Sequence, residues 1–177
     1  MRTLAHVALA LTVAATAAAQ NAPPPRVCLS AAESHQFDFW IGDWVVTPWQ
    51  QPPGPNMRVL GTNRVESLLS QCALLENWRS ANGYEGKSIN FYDRNVDKWR
   101  QIWVADVGGS LDYTGELRDG AMRFEGWTKG PKGERVLQKL TFFPIAKDTV
   151  RQLFETSKDS GRTWQPGFDG RYVRKAP

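Results

Sequence analysis

From Gly42 to Arg174 the chain reads as strand and turn only, and the segment before it, residues 30–40, reads as a short helix running into Gly42-Asp43-Trp44. Ser30 with Glu33 three residues later has the pattern of a capping box, in which each side chain satisfies a backbone N–H at a helix start. Phe37, Trp40 and Ile41 then fall at helical spacing and give that helix one apolar face. A helical plug leading through Gly-x-Trp into a long antiparallel series predicts an all-β, up-and-down barrel with a short N-terminal helix.

After Gly42 the hydrophobic period is that of strands, in runs bounded by turn residues. Ten strands are predicted, near 43–49, 58–68, 71–80, 86–93, 98–105, 110–117, 121–128, 135–143, 149–157 and 164–174. Asn82-Gly83, Asp119-Gly120 and Lys132-Gly133 supply turn residues that tolerate positive φ. The one conspicuous loop, 51–56, holds three prolines that prevent it from extending a strand, and a barrel opening is its natural place. Short antiparallel strands in this number favour closure, because an open sheet exposes two edges. A two-sheet sandwich uses the same strands and stays open as an alternative.

Arg2, an apolar run from Leu4 to Thr16 and then Ala17-Ala18-Ala19 have the order of a secretory signal peptide, expected over residues 1–19. Export follows, to the periplasm or the exterior, and no other segment has the length and apolarity of a membrane span. Residues 20–33 form an extension and helix start, and 34–175 a single barrel domain. The formal charge of +4 comes from Lys and Arg interleaved with Asp and Glu. With no basic cluster to track phosphates, nucleic acid is not an expected partner. Cys28 and Cys72 both follow the expected cut, in a compartment where disulfides persist. If they pair, the bridge contributes about 3–4 kcal/mol; the alternative is two buried free thiols.

Eight tryptophans in one small chain need an explanation. Trp44, Trp78, Trp99, Trp103, Trp127 and Trp164 fall on predicted strands or their starts, where a large ring either packs the core or lines a cavity. Trp99, Gln101 and Trp103 share one strand face, with Lys98 and Arg100 on the other. Glu76 shares a face with Trp78, and Arg151 with Leu153 and Glu155. An inward Arg151 beside Glu155 or Glu76 would form a buried ion pair, costly unless well hydrogen-bonded and so a mark of a site; on a half-exposed sheet the plainer fate of such charges is water. The candidate ligand-binding set is therefore Glu76, Trp78, Gln101, Trp103, Arg151 and Glu155.

Ser157-Lys158-Asp159-Ser160-Gly161-Arg162-Thr163-Trp164 matches Ser-x-Asp-x-Gly-x-Thr-Trp. It resembles the Asp-box hairpin turn of sialidase-type propellers and other secreted β-proteins, which gives Ser157, Asp159, Gly161 and Trp164 a structural role. His35 is the one histidine past the expected leader and has no Cys or His at a ligand spacing. No Gly-x-Ser-x-Gly and no phosphate-binding glycine loop is present. No catalytic residue, metal or cofactor is assigned on these grounds.

Phe37-Asp38-Phe39-Trp40-Ile41-Gly42-Asp43-Trp44, Trp99-Arg100-Gln101-Ile102-Trp103, the Asp-box segment and Phe168-x-Gly170-x-Tyr172-x-Arg174 resemble, as a set, uncharacterised exported bacterial proteins with lipocalin-like, calycin-type barrels. The resemblance covers residues 34–174 and supplies no established activity. It implies that Trp44 packs under a basic residue near the chain end, Arg174 or Arg171. The expected function is binding of a small apolar or amphipathic molecule, without stable membrane insertion. The alternatives are a cyclase- or isomerase-type enzyme with an interior carboxylate, Glu76 or Glu155, and a structural module with a filled barrel.

Overall fold

A computed structural model describes residues 23–176. The expected signal peptide lies outside the described residues. Ten strands follow in order: β1 (Gly42–Pro48), β2 (Gly61–Leu68), β3 (Ala73–Ser80), β4 (Glu85–Asp93), β5 (Lys98–Ala105), β6 (Ser110–Arg118), β7 (Ala121–Lys129), β8 (Arg135–Ala146), β9 (Thr149–Ser157) and β10 (Gln165–Arg174). Each pairs antiparallel with its neighbours in sequence, and β1 pairs with β10, Trp44 opposite Arg174, to close the cylinder. Closure excludes the two-sheet sandwich, and it leaves no strand edge unpaired.

The N-terminal helix is three short 3₁₀ turns, Val27–Leu29, Ala32–His35 and Asp38–Trp40, rather than one capped helix. The capping box is not made: the Ser30 hydroxyl donates back to the Val27 carbonyl at 3.4 Å. The reason lies in Phe37 and Trp40, both fully buried and stacked with centroids 4.9 Å apart. A 3₁₀ turn places residues i and i+3 one above the other, whereas an α-helix would splay them by about 60°. The tighter turn lets both rings enter the barrel side by side.

Those two rings stopper one end. Phe37 packs on Trp99, Phe124 and Phe142, and Trp40 lies 4.5 Å from Phe142. The Trp99 indole N–H donates to Gln36 Oε1, and Trp44 donates to the Trp40 carbonyl, both at 3.0 Å. The Arg174 guanidinium stands 4.2 Å from the centroid of the fully buried Trp44 ring and donates to the Ile41 carbonyl. Gly42 permits this approach, since a Cβ there would stand 2.0 Å from Arg174 Nη1. Arg171 is engaged elsewhere, on the face of Trp49 at 4.6 Å.

Cys28 and Cys72 form a disulfide that ties the first 3₁₀ turn to the β2–β3 connection. That connection holds Leu69, Ser70 and Gln71 at positive φ, a conformation costing about 1–2 kcal/mol per non-glycine residue. Stopper and bridge thus fix the same end of the barrel.

Candidate functional site

The opposite end is hollow. A cavity of about 570 Å³ opens between Arg58, Val59 and Leu60, which lead into β2, and the β3–β4 turn at Ala81 and Asn82. Its walls are Trp78, Tyr84, Trp103, Leu111, Phe154 and Phe168, and its deeper surface includes Glu76, Gln101, Tyr113, Gln152 and Tyr172. The loop 51–56 stands at this open rim, just ahead of Arg58.

Strand alternation explains how the aromatic wall is mounted. Trp78 and Trp103 are inward residues of β3 and β5, and each indole lies across a glycine of a paired strand. A Cβ on Gly61 would stand 2.8 Å from the Trp78 ring, and one on Gly86 2.0 Å from the Trp103 ring. Glycine at these two positions gives the rings a shelf, so they flatten against the wall and leave the centre free.

Below the aromatic wall and above the stopper runs a belt of polar inward side chains: Asn63 on β2, Glu76 on β3, Ser88 and Asn90 on β4, Gln101 on β5, Tyr113 on β6, Gln138 on β8, Gln152 on β9 and Tyr172 on β10. Burying so many polar groups is tolerable only because they satisfy one another. Gln101 Nε2 donates to Asn90 Oδ1 at 2.7 Å, Asn90 Nδ2 to Ser88 Oγ at 2.8 Å, and Ser88 Oγ to Glu76 Oε2 at 2.7 Å. Asn63 Nδ2 donates to the other Glu76 oxygen at 2.8 Å. Across the barrel Tyr113 donates to Gln138 at 2.7 Å, its ring crossing Gly126, and Tyr172 donates to Gln152.

The donors of this relay all run one way and converge on Glu76. Its carboxyl is 5 % exposed and has no cationic partner, and burial raises its pKa to about 7 against the pull of the Ser88 and Asn63 hydrogen bonds. Burial also pushes the Tyr113 and Tyr172 hydroxyls up. The cavity floor therefore carries one carboxyl that changes charge near neutral pH among groups that stay uncharged there.

Of the six candidate residues, Glu76, Trp78, Gln101 and Trp103 line this cavity. Arg151 and Glu155 do not: they stand on the outer face of β9, while Val150, Gln152 and Phe154 face in. Arg151 pairs with Asp169 at 2.8 Å and Glu155 with Lys139 at 2.9 Å, so no inward ion pair forms and the plainer reading of these charges, on the outer face, is the one the fold takes. Alternation correctly grouped Arg151 with Glu155 but left their direction undetermined, and pairing sets the phase. Asn63, Ser88, Asn90, Gln138 and Gln152 went unread as site residues. Their signal is one or two polar side chains at inward phase, visible once the phase is known.

The Asp-box segment forms the β9–β10 hairpin. Asp159 accepts from the Thr163 backbone N–H at 2.8 Å and from the Ser157 and Thr163 hydroxyls at 2.7 Å each, which holds its carboxyl well below the usual range. Gly161 turns at φ 89°, and Lys139 lies over the Trp164 ring at 4.1 Å. This is turn architecture on the outer wall. Among the described residues no group of three or more His, Cys, Asp or Glu is placed to hold a metal ion. No family model matches the chain, and no curated protein matches it.

Proposed function

We propose that this protein is an exported, lipocalin-like barrel that binds a small apolar or amphipathic molecule in its hollow half. The observation that carries the reading is the cavity of about 570 Å³, walled by aromatic side chains and floored by convergent polar groups. This is the usual makeup of a small-molecule site, an apolar surface with a few fixed polar anchors. A filled structural module would bury the same rings against one another, as the stoppered end does. The outer face carries ion pairs such as Arg100–Asp112 and Lys139–Glu155, which favours an aqueous exterior over a lipid-facing one. Secretion or a periplasmic location rests on the leader-like first nineteen residues, with the Cys28–Cys72 bridge in keeping with an oxidising compartment.

Titration of tryptophan fluorescence with a panel of lipids, aromatics and isoprenoids tests this. Saturable quenching is expected, and Trp103→Ala should weaken it at least about tenfold by removing a wall ring. A panel without any saturable response overturns the reading.

A second reading, proton transfer of the cyclase or isomerase kind, is favoured by one observation, a cavity-lining carboxyl poised near neutrality. It requires that Glu76→Gln abolish turnover of a bound ligand while leaving binding intact. Glu155, held outside by Lys139, has no part in it.

A further inference from the structure

The charge pattern of the cavity narrows the chemistry of its ligand. Glu76 is the only carboxylate among the described lining residues, and Arg58, exposed at the rim, is the only cation. The groups packed around Glu76 are neutral: Asn63 from β2, Ser88 from β4 and, as titratable neighbours, Tyr172 from β10 and Tyr84. Both tyrosines are raised above the ordinary value, by burial first and by the Glu76 charge as well, so neither competes for a proton near neutral pH.

Hydrogen-bond capacity at this point is unbalanced toward acceptors. Asn63 is 2 % exposed, and its Oδ1 has no hydrogen-bond partner although its Nδ2 serves Glu76. Each Glu76 oxygen accepts one side-chain hydrogen bond where it has room for two. Two indoles flank β3 one level above the carboxyl: the Trp78 ring lies over Gly61 of β2 and the Trp103 ring over Gly86 of β4. A carboxylate with spare acceptor sites and two ring faces attract the same thing, a positive charge bearing N–H donors.

On the binding reading above, we propose that the ligand carries a protonated amine, held by Glu76 between Trp78 and Trp103, with its apolar body against the aromatic wall. A carboxylate-bearing amphiphile would instead bring like charge toward Glu76, with only the rim Arg58 to offset it. Because a bound cation favours the ionised carboxyl, binding below about pH 7 releases a proton from Glu76.

The test is isothermal titration calorimetry of the full chain with a matched trio, naphthylethylamine, naphthylethanol and naphthylacetate. Titrations are run at about pH 8 and about pH 5.5, the latter in two buffers of different ionisation enthalpy. The amine is expected to bind at least about tenfold more tightly than the alcohol at the higher pH, with the carboxylate weakest. At the lower pH its affinity falls and the observed heat depends on the buffer. Glu76→Gln, checked for folding by its melting curve, should remove the amine's advantage over the alcohol. The wild-type comparison decides by itself if that variant does not fold. Alcohol or carboxylate binding as tightly as the amine overturns the cation inference and leaves the binding reading standing. No heat from any of the three overturns this inference, and failure of the fluorescence panel as well removes the binding reading with it.

Discussion

The stoppered half and the hollow half of the barrel share ten strands and a preference for large rings on the inner face, and they differ in what enters from outside. At one end the 3₁₀ turns deliver Phe37 and Trp40 into contact with Trp99, Phe124 and Phe142, and all five rings are buried. At the other end the proline-containing loop 51–56 delivers nothing of that size, and Trp103, Phe154 and Phe168 remain partly exposed around a cavity. Aromatic content therefore does not distinguish a core from a pocket in a barrel. The distinction is made by whether a second segment supplies the filling.

The sharpest way to break this comparison is to truncate one ring in each half and measure stability by chemical denaturation. Trp40→Ala should cost about 3–5 kcal/mol, the range for a large core ring, while Trp103→Ala should cost no more than about 1–2 kcal/mol because its ring already borders open space. Equal losses would mean that the hollow half is core. Replacing both Cys28 and Cys72 with serine should cost about 4 kcal/mol for the 44-residue separation that the bridge closes, felt at the stoppered end. Hydrogen exchange should then speed first around β2 and β3, with the amides of the open rim less affected.

A smaller effect separates the halves by pH. Glu76 in the hollow half has a folded pKa raised to about 7 from an ordinary 4.5, so the native state holds its proton longer than the unfolded chain does. Folding stability from this group is therefore greatest below the unfolded pKa and falls as pH rises toward and past about 7, by up to about 3 kcal/mol. Glu76→Gln should flatten that slope and melt at higher temperature than the wild type at about pH 8, with the Asn63 amide turned to offer its free oxygen to the new N–H. A slope that persists in the variant would assign it to other groups. The smallest expected effect is that of Arg174→Ala, about 1–2 kcal/mol and a few degrees of melting temperature from the cation–π contact over Trp44, with ligand selectivity unchanged.

Much of this architecture was legible because strands and turns announce themselves locally. The turn glycines at 83, 120 and 133 all adopt positive φ, and the predicted ends of β3 through β7 fall within a few residues of the observed ones. The N-terminal segment misled because Ser30 and Glu33 have the spacing of an α-helical cap, while two rings three residues apart impose a tighter turn. β2 starts at Gly61 rather than at residue 58, because Val59 and Leu60 continue the apolar pattern yet form the rim. Four of the six candidate residues line the cavity because Glu76 shares its strand face with Trp78, and Gln101 with Trp103, and these large rings face in. The polar belt stayed hidden for a different reason. Each strand contributes only one or two of its members, and only the register of β2 through β5 brings Asn63, Glu76, Ser88, Asn90 and Gln101 into one hydrogen-bonded line.

The glycine shelves at 61 and 86 have a consequence for how such a pocket can be tuned. The side chains a ligand would touch, Trp78 and Trp103, rest on backbone that contributes no Cβ, so the bore of the hollow half is set from behind its own lining. A single methyl group added at Gly86 would push the Trp103 indole off its shelf and toward the axis, narrowing the channel without changing any group that faces the ligand. Calibre and chemistry are thus set by separate positions: the glycines fix the bore, and the carboxyl at the floor fixes the charge found there.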